Sequence, residues 1–225
     1  MITILHSDKD LLVCVKPCGT LSEKSEAENS LPAIIEKEYA ERGEKVTLFA
    51  VHRLDREVRG VMVYAKTPEA AKRLSATMGE GGFEKIYLAV TEKVLEEKDG
   101  VLRDLLFKDS KKNKSYVVDR MRRGVKEASL EYSLLGEADG RGLYRIKLHT
   151  GRTHQIRVQL SSRGCPIVGD RKYGSRTEGD TLLCSYKLSF PHPRSNKLME
   201  FTYIPTDGFG NFEDSLDLLR GSRAQ

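Results

Sequence analysis

Apolar and polar residues alternate with a period of two in several stretches of this chain, while helical spacing is confined to a few shorter ones, so strands should outnumber helices. Residues 10–16, with Leu11, Leu12, Val13, Cys14 and Val15 in succession, predict a buried strand stopped by Pro17 and Gly19. Ser30 is placed to cap a helix with Pro32 in its first turn and Ile34, Ile35 and Tyr39 on one side. A short strand near 47–51 leads into the loop 52–56, and Gly60 separates that loop from a strand over 61–65. Thr67, Pro68 and Glu69 open a helix with Ala70, Leu74 and Met78 at four-residue spacing, closing near Gly79. Residues 85–93 predict a strand with Ile86, Leu88 and Val90 on one face and Lys85, Tyr87 and Ala89 on the other. Alternation returns over 128–132 and 143–148. A short helix from about Thr153 turns Ile156 and Leu160 inward and ends at Gly164. Strands over 182–190 and 198–204 complete the core, and Leu216, Leu218 and Leu219 form a helical turn that docks the polar tail.

Strands and helices do not alternate regularly, which predicts an α+β fold: a mixed, mostly antiparallel sheet with flanking helices and loops. No repeat or linker divides the chain, so residues 1–225 are expected to form a single catalytic domain. The proportions of apolar and charged residues are those of a globular protein, and no apolar run approaches the roughly 18 residues that span a bilayer. The first residues lack a basic stretch followed by an apolar one, so the expected location is cytoplasmic. Cys14, Cys18, Cys165 and Cys184 include no Cys-x-x-Cys pair and predict free thiols rather than a zinc site.

Charge adds a more specific clue. The net charge is +5, and the segment 108–127 is by itself rich in lysine and arginine, among them Lys111, Lys112 and Lys114. Concentrated positive charge attracts polyphosphate backbones, whereas a merely solvated hairpin would carry it equally well. Asp55 stands among His52, Arg53 and Arg56, and cationic neighbours favour the ionised form of a carboxylate. An ionised acid suits a nucleophile, a base or an electrostatic stabiliser beside an anionic substrate. An isolated pair of this kind would be read as a loop salt bridge. A second cationic stretch, Gly151 to Arg157, raises the chemical reading. Phosphate-loop, zinc-protease, dinucleotide-binding and nucleophile-elbow sequences are all missing from the chain. Tyr87 could line a cleft from the face opposite Ile86, or simply pack with its hydroxyl satisfied. Arg157, about 100° from the apolar stripe of its helix, could reach a buried carboxylate from the core's rim or sit on the surface. His154 and Gln155 suit phosphate contacts or helix capping equally.

Taken together, these motifs resemble the RluA-type pseudouridine synthases of RNA, over about residues 10–205. The opening strand and turn of 10–19 match, as do His52-Arg53-Leu54-Asp55 followed by Gly60, Lys85-Ile86-Tyr87-Leu88-Ala89, and residues 151–157 with 169–174. The resemblance implies the pseudouridine synthase fold and isomerisation of specific uridines in structured ribosomal or transfer RNA, by an aspartate and without a cofactor or metal. It implies that Asp55 is the essential aspartate, that Arg157 forms its salt bridge, and that Tyr87 stacks on or deprotonates the target base. Arg53 would fill the space the uridine vacates. The expected RNA contacts are His52, Arg53, Arg56, Arg152, His154, Lys111, Lys112 and Lys114. The chain is expected to act as a monomer, away from membranes and without the small N-terminal RNA-binding domain of longer members. Two stretches depart from the family pattern: Val58-Arg59-Gly60 replaces Thr-Ser-Gly, and Leu183-Cys184-Ser185 replaces Leu-His-Ala. The rival readings are a non-catalytic RNA-binding or ribosome-assembly factor on the same scaffold, and a nucleoside glycosidase that releases free base.

Overall fold

The computed structural model of the protein describes residues 1–25 and 29–221. In chain order the elements are β1 (Ile4–Ser7), β2 (Leu11–Lys16), α1 (Leu31–Ala40), β3 (Phe49–Ala50), β4 (Arg59–Ala65), α2 (Pro68–Gly79), β5 (Glu84–Thr91) and β6 (Asp99–Asp109). There follow β7 (Lys114–Val118), β8 (Val125–Ala138), β9 (Arg141–Leu148), α3 (Gln155–Ser161), β10 (Leu183–Pro191), β11 (Leu198–Thr202) and α4 (Glu213–Gly221). They fall into two compact units: Met1–Lys85 with Cys184–Tyr203, and Ile86–Leu183 with Ile204–Gln225.

In the first unit the sheet order is β1-β2-β4-β10-β11. Neighbours are antiparallel except β4 and β10, which run parallel with Cys184 opposite Arg59 and Ser185 opposite Gly60. Both β2 and β4 are buried at every position, the pattern of central strands covered on both faces. On one face Leu11, Val13, Val61, Val63 and Ala65 join Ala70 and Leu74 of α2 and Leu188 and Phe190 of β10 in a continuous core. Helix α2 begins where expected: Thr67 Oγ1 accepts the Ala70 amide at 3.2 Å, and Pro68 needs no partner for a missing N–H. Helix α1 also starts as expected, with Pro32 in its first turn, but the Ser30 hydroxyl makes no capping bond.

The second unit carries an antiparallel order β5-β9-β8-β6-β7. Leu106 of β6, Ala128 of β8 and Val158 of α3 form a core cluster with Tyr173. Strands β1 and β6, which the alternation did not predict, are both partly exposed; in β6 apolar doublets such as Leu105-Leu106 put one residue on each face. In α4 only Leu216 is fully buried, whereas Leu218 is 73% exposed and does not dock. The mixed, mostly antiparallel α+β architecture is the one expected. No helix among the described residues is long and apolar enough to cross a membrane.

Candidate active site

Asp55 lies in the turn between β3 and β4, half-buried, on a backbone held from both sides. Lys16, at the end of β2, is fully buried and donates its ammonium to the carbonyls of Pro17 (2.9 Å) and Arg56 (3.0 Å). The Gly19 amide donates to the same Arg56 carbonyl at 2.9 Å, and Arg56 Nε donates to the Gly19 carbonyl at 3.1 Å. On the other side of Asp55, Ser22 Oγ accepts the Leu54 amide at 3.0 Å and donates to the Leu54 carbonyl at 2.6 Å. The Tyr64 hydroxyl, from β4, secures Ser22 by donating to its carbonyl at 2.8 Å. A turn bond from the Val58 amide to the Asp55 carbonyl (3.0 Å) closes the frame. Preorganisation of this kind holds a reactive group in place with little reorganisation at the moment of reaction. Burial lowers the Lys16 amine from its ordinary value to about 8, partly offset by Cys18, Glu57 and Asp55.

The cations around Asp55 divide by environment. Arg53 is exposed and pairs only at the surface with Glu23 (2.9 Å). His52, one of the expected RNA contacts, is held from β4. Its Nε2 accepts the Val63 amide at 3.1 Å, and burial, helped by the nearby Lys85 charge, pushes the imidazole down to about 3. His52 is therefore a neutral prop under the loop, packed against the Phe83 ring. Gly60, expected as a separator, lies inside β4 at φ +119°. A Cβ there would stand 2.3 Å from the Ser185 carbonyl oxygen, so the close parallel pairing requires glycine. The same register sets the two departures from the family pattern against each other, since Arg59 faces Cys184 across the ladder. Both are buried, and burial raises the Cys184 thiol well above its ordinary value despite the Arg59 charge.

In the second unit, Tyr87 lies in β5 opposite Ile146 of β9 and is only 7% exposed. Ala89 is as buried as Ile86 and Leu88, so β5 has no open face of the kind a cleft-lining strand presents. Arg157 does sit in the core, at 2% exposure, because α3 is buried all round. Its Nε and Nη2 donate to the two oxygens of Asp170 at 2.6 and 2.8 Å, and its guanidinium lies 5.1 Å from the Tyr173 ring. Asp170 stands in the stretch 169–174, which the sequence matched to the family pattern without giving this residue a role. His154 is buried, in a left-handed conformation (φ +55°), with Nδ1 2.8 Å from the Tyr173 hydroxyl. Gln155 accepts from the Thr150 hydroxyl and the Arg152 amide, which makes it a local clamp. Arg152 is partly exposed and donates Nε to the Glu127 carbonyl at 2.8 Å. Lys111 and Lys112 are exposed at the β6–β7 turn, their amides bound by Asp109 Oδ1. Lys114 is half-buried, 5.1 Å from the Tyr173 ring.

Asp8, Asp10 and His192 could present three metal-ligand atoms. Their chemistry points elsewhere, because Arg194 binds Asp10 through two bonds and His192 Nδ1 faces the amides of Arg194 and Ser195. What the geometry defines is a rigidly framed aspartate in one unit, and a buried arginine–aspartate pair beside a tyrosine in the other.

Comparison with known proteins identifies the family that carries this combination of mixed sheet and framed aspartate. The family model described as RNA pseudouridylate synthase matches residues 10–162, and the chain belongs to that family of isomerases. It is 33% identical over 218 residues to an uncharacterized RNA pseudouridine synthase of Aquifex aeolicus, covering 89% of this chain and 68% of that protein. It is 31% identical over 231 residues to ribosomal large subunit pseudouridine synthase C of Escherichia coli O157:H7, covering 98% and 70% respectively. Among solved structures, human RNA pseudouridylate synthase domain containing 4 superposes with a TM-score of 0.75 at 25% identity, over 97% of this chain and 93% of that one.

Proposed function

We propose that the chain converts specific uridines of structured RNA to pseudouridine, with Asp55 as the catalytic carboxylate and ribosomal RNA as the favoured substrate over transfer RNA. The frame around Asp55 carries this reading: Lys16, Gly19 and Ser22 fix the backbone on both sides of a single half-exposed carboxylate, an outlay that binding a polyanion does not call for. The name of the Escherichia coli relative supports the ribosomal substrate.

In the reaction the bond from ribose C1′ to uracil N1 breaks, the base turns, C1′ bonds to C5, and the proton lost from C5 is matched by one taken up at N1. Asp55 either attacks C1′ or removes the proton at ribose C2′. The uridine must first leave its stack, at a cost of a few kcal/mol. Arg53 can enter the vacated space cheaply, since it gives up only an exposed ion pair. Tyr87 and Arg157 take their proposed parts from the motifs in which they stand: Tyr87 at the C5 proton, Arg157 in pairing with Asp55. Asp170 fixes the orientation of Arg157.

The test compares parent and Asp55→Asn protein on ribosomal and transfer RNA, read by a pseudouridine-specific chemical label and by RNA binding. The variant should bind RNA and form no pseudouridine. Equal modification by both proteins would remove Asp55 from the chemistry. Binding with no modification by the parent on either RNA would favour the non-catalytic reading, and release of free uracil would favour a glycosidase.

A further inference from the structure

The outer face of β6 and β7 is unlike the rest of the second unit's surface. Helix α3 covers the inner face, where Leu106, Val117 and Ala128 pack with Val158 and Tyr173. On the outer face Phe107 and Tyr116 stand directly opposite each other, with Leu105 opposite Val118 beside them. Directly opposed side chains on a sheet lie close enough to form one continuous surface. Tyr116 is 36% exposed, and Met121, in the loop that follows β7, is 56% exposed. That loop turns back over the sheet, so that Arg122 lies 5.2 Å from the Phe107 ring centroid. A cleft of about 530 Å³ opens along the end of β7, lined by Val117, Val118, Asp119, Arg120 and Arg122.

Aromatic rings and guanidinium groups on an open sheet face are the surfaces on which unpaired bases stack, provided that cations nearby receive the backbone. The cations are there. Arg120 and Arg122 line the cleft, with Asp119 its only acid, and Lys114 lies 5.8 Å from the Tyr116 ring. Asp109 stands opposite Lys114 across the ladder, so the positive excess beside this aromatic step comes from Arg120 and Arg122, which suits a phosphate backbone. We propose that this face is a second RNA-binding site, which seats an unpaired nucleotide with its base on Tyr116 and the Arg122 guanidinium and its phosphates toward Arg120 and Lys114. The proposal rests on the RNA reading given above. It adds a stacking contact that selects RNA with a single-stranded segment.

The experiment uses Asp55→Asn protein, so that binding is read without chemistry, and two fluorescein-labelled probes: a single-stranded oligouridine and an RNA duplex of the same length. Anisotropy titrations compare this protein with versions that also carry Tyr116→Ala, Tyr116→Phe or Arg122→Ala, each checked for an unchanged thermal midpoint. Tyr116→Ala should weaken single-strand binding about tenfold and leave duplex binding within about twofold. Tyr116→Phe should retain the parent affinity, because the ring stacks without its hydroxyl. Arg122→Ala should weaken both probes, since it removes a cation as well as a plane. Tyr116→Ala binding as tightly as the parent, or losing affinity equally for both probes, would overturn the stacking site while leaving the RNA reading intact. Failure of the parent to bind either probe would overturn both.

Discussion

Replacing Lys16 by methionine tests whether the Asp55 turn rests on a buried charge. Methionine nearly matches the length of the lysine stem but carries neither charge nor donor. The amine is lowered from 10.5 to about 8, so keeping it protonated in the folded chain costs about 3 kcal/mol below pH 8. An unfolded lysine holds its proton up to its ordinary value, whereas the folded one releases it from about pH 8. The unfolded state therefore binds more protons between pH 8 and 10.5, and stability contributed through Lys16 rises with pH across that window. Against this, the variant takes a donor from the Pro17 and Arg56 carbonyls, at about 1–3 kcal/mol for each group left short; Arg56 keeps the Gly19 amide. The two effects nearly cancel at pH 7. Urea unfolding of parent and Lys16→Met protein should thus give similar stabilities at pH 7, with the parent ahead by about 3 kcal/mol as pH approaches 10.5. Pseudouridine formation at pH 7 should nevertheless fall in the variant, because the Arg56 side of the turn has lost one of its three tethers. A stability difference that stays flat from pH 7 to 10.5 would show that Lys16 titrates alike in the folded and unfolded chain and that burial does not lower its amine.

Two further substitutions probe the neighbouring supports. Asp170→Asn takes one charged, two-bond partner from the buried Arg157 guanidinium and should destabilise the protein by about 3 kcal/mol in denaturant titrations; a loss below about 1 kcal/mol would mean the pair is not the anchor its burial suggests. Gly60→Ala forces a Cβ against the Ser185 backbone at a left-handed φ and should cost about 3 kcal/mol or more, read as a lowered urea midpoint, with full retention of the parent midpoint as the contrary result.

Much of the scaffold was legible before any coordinates. The cap and proline at Thr67 and Pro68, the apolar run into β2 and the alternation over β9 each state a local rule that the fold obeys. Aspartate 55, too, stood out by its neighbours alone. What escaped were features set by partners distant in sequence. Lys16 and Ser22 carry no local sign that they will hold residues 54 and 56, and their role exists only once β2 lies beside the turn. Gly60 read as punctuation because nothing near it foretells Ser185, 125 residues later. For Tyr87 the sequence left a cleft-lining and a packed role open, and for His154 a phosphate contact or a helix cap; only tertiary packing shows that both are buried. Asp170 was within reach, as an acid in the same motif as Arg157, but helical geometry alone did not say which carboxylate the guanidinium would meet.

The parallel seam at Gly60 has a consequence for how the enzyme is made. The strand that pairs with the start of β4, where the chain leaves the Asp55 turn, is supplied by residues 184–191, in a unit whose first segment ends at Lys85. As the nascent polypeptide leaves the ribosome, that unit waits with an uncovered edge while nearly a hundred residues of the other unit are synthesised. Catalytic competence is thus acquired late in translation, and a chain cut before Cys184 emerges should retain a loosely held aspartate and no isomerase activity.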